Sequence, residues 1–180
     1  VYDQDGNPIP GQFVDRNGDG QINESDKYYY HSRDPKVTLT WNNTFNYKNW
    51  DFGFSLRSNI GNYVYNDFEA ANVDISTATS SVPLSNLMSD RFLFTNMGDK
   101  GYLSDYFVRN ASFVRCDNIT LGYTFPNLLN NALRLRLYGA VQNAFVITKY
   151  NGLDPEVFSG VDNNVYPRPI TVSFGVVAQF

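Results

Sequence analysis

Strict alternation of apolar and polar residues runs through five long stretches of this chain and restricts it to a fold built from two-faced strands. Between Val37 and Tyr47 the odd positions are mainly apolar or aromatic, whereas every even position is threonine or asparagine. The same alternation continues in the stretches 50–60, 113–125, 133–145 and 170–180. Successive side chains of a strand point to opposite faces of its sheet, so a period of two residues indicates strands. The sequence therefore predicts an all-β fold with antiparallel strands.

The length of these stretches favours a transmembrane barrel over a soluble sandwich. Each has roughly 11 to 13 residues, more than the ~5–6 of a typical globular strand and close to the ~9–11 that cross a bilayer when tilted. The connections are alternately short and long, and aromatic residues such as Trp41, Trp50 and Phe145 lie near strand ends. Both features are typical of outer-membrane barrels, whose apolar face meets lipid and whose polar face lines the pore. In the alternative sandwich, the apolar face packs against a second sheet.

Composition excludes several other classes of protein. The chain has 14 Lys+Arg and 18 Asp+Glu residues without a basic run, which argues against a nucleic-acid-binding protein. Its single cysteine excludes a disulfide framework. No apolar run approaches the ~18 residues of a transmembrane helix. The sequence contains no Ser/His/Asp set and no glycine-rich phosphate loop, so we do not expect an enzyme.

Five strands are too few to form a closed barrel. The smallest barrels need about eight strands, and hydrocarbon does not tolerate an open sheet edge because its backbone groups lack partners. The chain begins at Val1 without a leader or an initiator methionine. We therefore expect the chain to be one part of a larger barrel, which does not close alone.

An acidic loop over residues 15–26 matches the pattern of a calcium-binding loop. The predicted calcium ligands are Asp15, Asn17, Asp19, Gln21, Asn23 and Asp26. Gly20 stands at the sharp turn, Gln21 would contribute its carbonyl group, and Asp26 replaces the usual glutamate at position 12. The flanks do not have the character of EF-hand helices, so we expect a structural, loop-only Ca²⁺ site of modest affinity. The alternative is an Asp/Asn/Gly-rich turn without a metal.

A set of motifs, read together, resembles one family of transporters. The motifs are the acidic loop, Asp34–Lys36, Asn46–Phe52, Asn118–Pro126, Gln142–Phe145, Tyr150–Glu156, Tyr166–Pro169 and the terminal strand that ends at Phe180. Their order is similar to that in the C-terminal part of SusC/RagA-like TonB-dependent outer-membrane transporters. This resemblance implies a plugged barrel of about 22 strands, of which these would be the last five. It also implies TonB-powered import of glycans or peptides, with a SusD-like surface lipoprotein as partner and with TonB reached through an N-terminal part outside this chain.

The resemblance gives three groups of residues a possible role. The pore-facing arginines, which would attract anionic groups or plug carboxylates or simply be solvated, are Arg57, Arg134 and Arg136. The tyrosines near the ends of the long outer loop, which would stack on sugars, pack on the lipoprotein or close the loop onto itself, are Tyr63, Tyr65, Tyr102 and Tyr106. Phe180 resembles the C-terminal aromatic residue by which barrels are recognised for membrane insertion, and it would also close the seam with the first strand.

The expected organisation alternates hairpins with extracellular loops in a Gram-negative outer membrane. The expected segments are an extracellular loop with the calcium-type motif (1–36), a hairpin (37–60), an extracellular loop (61–112), a second hairpin (113–146), an extracellular loop (147–169) and the terminal strand (170–180). The alternative function is that of a secreted, calcium-stabilised β-sandwich that binds carbohydrate. A sandwich would enclose the rings of Trp41, Phe54 and Phe174, whereas a barrel would leave them on its lipid-facing surface.

Overall fold

Five long strands form one antiparallel sheet in the computed structural model, which describes residues 1–9, 11–72, 104–128, 132–163 and 166–180. The strands are β1 (Val37–Tyr47), β2 (Trp50–Ile60), β3 (Tyr63–Tyr65), β4 (Val108–Asn110), β5 (Phe113–Leu128), β6 (Leu133–Thr148) and β7 (Thr171–Gln179). The long strands follow the order β1-β2-β5-β6-β7, and β3 pairs with β4 in a separate ribbon. The remaining elements are the helix α1 (Asp67–Asn72) and two 3₁₀ turns, Glu24–Asp26 and Asp105–Phe107.

The chain divides into two compact units. The sheet unit comprises residues 34–62, 111–155 and 166–180, and it contains the five long strands. The loop unit comprises residues 1–33, 63–110 and 156–165, and it contains β3, β4, α1 and both 3₁₀ turns. The core of the loop unit is small: Phe107 is fully buried beside Ala70, and Tyr65 and Tyr106 pack against them. None of the helices described has the length and hydropathy of a transmembrane span.

The first hairpin has the tight turn that the alternation predicts. Tyr47 pairs with Trp50, which leaves Lys48 and Asn49 as a two-residue connection. Lys48 adopts a φ of +53°, in the left-handed region that two-residue hairpins require. The turn therefore keeps β1 and β2 in register along their whole length, from Tyr47–Trp50 to Val37–Ile60.

The strand β5 runs further than the sequence suggests. Pro126, which cannot donate to a ladder, predicts an end at Phe125, and this prediction is wrong. The strand continues to Leu128, which pairs with Leu133, and a register irregularity between Phe125 and Leu128 accommodates the proline. Bulges allow a strand to pass a residue that cannot pair.

The apolar face of the sheet is uncovered. Trp41 and Phe174 expose 59% and 86% of their surface, and Phe54 lies on the same face, beside the Trp41 ring at 5.3 Å. Within the described residues of the sheet unit there is one sheet, with no second sheet packed on these rings. The enclosed apolar layer of a sandwich is therefore not observed.

Candidate functional site

An ion pair on the polar face bridges two strands that are not neighbours. Arg136 of β6 donates from Nε to Oδ2 of Asp51 at 2.9 Å and from Nη2 to Oδ1 at 2.5 Å. Asp51 belongs to β2, so the pair spans the intervening strand β5, where Gly122 lies beneath it. A Cβ atom at Gly122 would lie 2.4 Å from Asp51 Oδ2 and 2.6 Å from Arg136 Nη2. The pair can therefore lie flat on the sheet only because this position is glycine.

We expect Gly122→Ala to lower the free energy of unfolding of the folded protein by about 1–3 kcal/mol, because the added methyl group displaces both charged side chains. Guanidine unfolding in lipid vesicles measures this loss. Gly139→Ala is the matched control, since a Cβ there would meet Phe174 at an ordinary 3.5 Å. In an Asp51→Ala/Arg136→Ala background, Gly122→Ala should become nearly neutral. An equal loss in both backgrounds would contradict the proposed clash.

The second predicted arginine on this face also has a carboxylate partner. Arg57 donates from Nε to Asp117 Oδ2 at 3.0 Å and from Nη2 to Oδ1 at 3.1 Å. Against β2, Asp117 is the extra residue of a bulge in β5, because Cys116 and Asn118 pair with the consecutive residues Leu56 and Ser55, and bulges commonly re-aim a side chain in this way. Arg134 is exposed and forms no ion pair with the described residues. The contact of these arginines with a substrate remains a prediction.

A buried ion pair that the sequence analysis did not identify joins the sheet to the segment after β6. Arg115 is only 2% exposed and donates from Nη2 to Asp154 Oδ1 at 2.6 Å. Its Nη1 donates to Oδ1 of Asn143 at 2.5 Å, and Asn143 in turn donates to the carbonyl of Arg168 at 2.7 Å. Asn143 has a φ of +52°, so its position in a strand is irregular. The motifs that contain Asn143 and Asp154 were visible in the sequence, but the contacts of both residues with Arg115 were not.

Three of the predicted tyrosines pack within the loop unit. Tyr63 stacks on His31 with ring centres 3.7 Å apart and planes at 14°. Tyr65 and Tyr106 make edge contacts with Phe107, with ring centres 6.3 and 5.2 Å away. Each of the three rings is half-buried, which agrees with the alternative that they close the loop onto itself. Tyr102 lies outside the described residues, and contact of any of the four with sugar or lipoprotein remains a prediction.

The acidic loop is ordered by hydrogen bonds from its own amides. The carboxylate of Asp15 accepts from the amides of Gly18 and Gly20 at 2.7 and 2.8 Å, and both glycines have the positive φ that this tight path needs. Asp19 accepts from the amide of Gln21 at 2.8 Å, and Asn17 donates to Asp19 at 2.8 Å. The loop therefore gathers carboxylate, amide and carbonyl oxygens, the hard donors that suit Ca²⁺.

Asp26 closes the acidic loop. It accepts from the amides of Asn23 and Arg16, at 2.8 and 2.9 Å, and these two bonds lower the pKa of its carboxyl group. All six predicted ligands thus lie in one closed loop. Among the described residues, however, no three Asp, Glu, His or Cys side chains are close enough to hold a metal by themselves, so an ion would depend on the amide and carbonyl oxygens as well.

Asp105 ties the N-terminal part of the loop unit to its core. The hydroxyl groups of Tyr2 and Tyr28 donate to its two oxygens at 2.5 and 2.7 Å. Burial, and then the bond to Asp105, raises the pKa of both tyrosines. The guanidinium group of Arg16 stacks 3.3 Å from the centre of the Tyr28 ring. The acidic loop is therefore anchored to the 3₁₀ turn that contains Asp105, and nothing in the local sequence marked this carboxylate.

The chain is similar to proteins named as TonB-dependent receptors, although no protein-family model matches it. It is 48% identical to the TonB-dependent receptor SusC of Bacteroides thetaiotaomicron over 186 residues, which cover 100% of this chain and 18% of SusC. It is 28% identical over 196 residues to the TonB-dependent receptor P3 of Formosa agariphila, covering 98% of this chain and 19% of that protein. The chain thus spans about a fifth of the length of these relatives.

Solved structures establish the architecture to which the sheet belongs. The RagAB peptide importer in its open-open state matches with a TM-score of 0.70 and 24% identity, over 93% of this chain and 20% of that one. The closed-closed state matches with a TM-score of 0.69 and 22% identity, over 95% and 21% of the two chains. The predicted all-β segment of a large barrel is therefore confirmed, and the alternative sandwich is not supported.

Proposed function

We propose that this chain, a segment of a SusC/RagA-like TonB-dependent receptor of the outer membrane, forms part of the wall of an importer of nutrient oligomers. The observation that carries the proposal is the two-faced sheet. Its apolar face exposes the rings of Trp41 and Phe174, as a surface in contact with lipid does. Its polar face carries Asp51 and Arg136 in an ion pair, which suits the wet interior of a barrel. We propose no catalytic activity.

The proposed substrate is a glycan or a peptide, and the proposed partner is a SusD-like surface lipoprotein. The fold likeness to the RagAB peptide importer supports the peptide, and the identity to SusC supports a nutrient receptor of the same family. Exposed rings in the loop unit, among them Tyr29 and Phe158, offer apolar contacts to a protein partner or a sugar. The segments 1–36, 61–112 and 147–169 would then lie on the extracellular side.

Deletion of the gene for the full receptor tests this function. We expect loss of uptake of one class of fluorescent oligomer, oligosaccharide or oligopeptide, and the same loss in a strain without TonB. Restoration by the wild-type receptor is the control for polar effects of the deletion. The proposal would be contradicted if both classes of oligomer were still taken up by the strain without the receptor or by the strain without TonB. Co-purification of a surface lipoprotein with the tagged receptor tests the partner separately.

We also propose that the acidic loop binds Ca²⁺ as a structural ion, through Asp15, Asn17, Asp19, Gln21, Asn23 and Asp26. If the dissociation constant lies at ~10⁻⁴–10⁻³ M, Ca²⁺ at about ten times that value should stabilise the receptor by roughly 1.4 kcal/mol. Thermal unfolding of the full receptor with Ca²⁺ or with a chelator measures the shift, and Asp15→Ala should abolish it.

Glu24→Gln is the matched control for the calcium experiment. Glu24 lies in the same loop and pairs with Lys27 at 2.6 Å on the exposed surface, so its charge can be removed without touching a predicted ligand. We expect the Glu24→Gln receptor to keep the full response to Ca²⁺. Absence of any response in the wild-type receptor would show that the loop is a metal-free turn.

A further inference from the structure

A groove of about 420 Å³ runs along the apolar face of the sheet unit. Its floor is Gly139 of β6, and its apolar lining includes Leu121, Leu137, Phe174 and Val176. A Cβ atom at Gly139 would meet the Phe174 ring at 3.5 Å, so the absence of a side chain there leaves the floor of the groove open. Phe174 is 86% exposed and stands beside this floor as a wall. The groove is mainly apolar and open to the surface.

One end of the groove is bordered by amphipathic rings. Trp50 and Tyr123 line it and contact each other edge to face, with ring centres 4.7 Å apart. The Nδ2 atom of Asn49, in the turn next to Trp50, donates to the Tyr123 hydroxyl at 3.5 Å. Tryptophan and tyrosine rings with polar tips are typical of the level of lipid headgroups. The end of the groove near the β1–β2 turn thus has the character of a membrane interface.

A positive charge stands at the same end and on the same face. The Lys48 Nζ atom lies 5.4 Å from the centre of the Tyr47 ring. Tyr47 pairs directly with Trp50, and directly paired residues share a face of their sheet. The ammonium group therefore leans over the apolar side of the sheet rather than over the polar side, where Asp51 and Arg136 lie. It is exposed and available to an anion at the membrane surface.

We propose that this groove is a binding site for one glycerophospholipid of the leaflet at the short-turn end of the barrel. An acyl chain lies over Gly139 between Leu137 and Phe174, and the phosphate group contacts Lys48, with Tyr123 and Asn49 beside it. A molecule with one anionic end and an apolar chain matches this order of features, with the Lys48 charge in the turn beside the groove, the amphipathic rings of Trp50 and Tyr123 at its end and the apolar lining beyond them. The site is separate from the pore face and does not depend on which nutrient is imported.

Photo-crosslinking on the full receptor in mild detergent tests this site. The probe is phosphatidylglycerol with a diazirine in one acyl chain, and mass spectrometry locates the labelled peptides. We expect labelling concentrated at Leu121, Leu137 and Phe174. Lys48→Asn removes the charge but suits the positive φ of the turn, and it should lower the labelling roughly fivefold. Gly139→Leu, which fills the floor, should lower it at least as much.

Val172→Leu is the matched control, because it lies on the same face of β7 but outside the groove, and it should leave the labelling unchanged. If Gly139→Leu does not reach the membrane, Phe174→Ala removes a wall of the groove and should give the same loss. The proposal would be overturned if all lipid-facing strands were labelled to the same extent and neither Lys48→Asn nor Gly139→Leu reduced the labelling. Displacement of the probe by lipopolysaccharide but not by unlabelled phosphatidylglycerol would also overturn the proposal. So would the finding that two receptors associate through this face and thereby prevent its labelling.

Discussion

An arginine at Ile119 is expected to destabilise the folded receptor by roughly 2–4 kcal/mol, whereas an arginine at the adjacent Thr120 is expected to be tolerated. Ile119 lies in the middle of the central strand β5, paired with Phe54 on one side and Val141 on the other. These neighbours belong to the apolar face, so the charge would enter the hydrocarbon of the bilayer. Thr120 points to the opposite face, beside Gly53, where a long charged side chain can reach the water of the pore.

Unfolding of the two variants in lipid vesicles, together with their amounts in the outer membrane, measures this difference. The comparison is tightly matched, since the two positions are consecutive, lie at nearly the same membrane depth and receive the same side chain. Similar losses at both positions would mean that arginine perturbs the strand itself. A larger loss for Thr120→Arg would reverse the assignment of the two faces, and with it the barrel orientation of the sheet.

Much of the sheet could be predicted because its signal is local. The period of two residues is repeated in each strand, and the observed β1 and β2 cover the predicted stretches 37–47 and 50–60. Irregular pairing between strands is harder to predict from the sequence. Alternation counted back from Asn118 would place Cys116 on the polar face, but the extra residue Asp117 shifts the phase, and Cys116 pairs with Leu56 of the apolar face. One inserted residue thus reverses the assigned face of every residue on its N-terminal side in that strand, 113–116.

The polar face shows why the partners of a candidate residue are less predictable than its location. Arg57 and Arg136 were identified as pore-facing from their positions in the alternation. Their carboxylate partners lie 60 and 85 residues away along the chain, and the partner of Arg136 is reached across a strand only because Gly122 has no side chain. Such a pairing depends on the register of three strands at once, which the composition of any one strand does not determine.

Asp154→Ala is expected to cost about 3–5 kcal/mol of unfolding free energy, because it leaves the Arg115 guanidinium group buried without its carboxylate partner. The Arg115 and Asp154 side chains are 2% and 5% exposed and lie 2.6 Å apart. Arg168 approaches the same carboxylate at 3.8 Å, so the substitution also weakens the attachment of the segment before β7. Guanidine unfolding in vesicles measures the cost, and protease sensitivity of the segment 149–169 measures the local loosening.

The double variant Arg115→Met/Asp154→Leu separates the charge from the packing. Asp154→Ala is expected to be costly because it leaves the buried charge of Arg115 without a partner. Replacing both partners with apolar side chains of similar size should therefore recover most of the lost unfolding free energy. Glu156→Ala, two residues further along in the loop unit, controls for a general effect of removing a carboxylate from this region. A double variant as unstable as Asp154→Ala would show that the loss does not come from leaving the Arg115 charge buried without a partner.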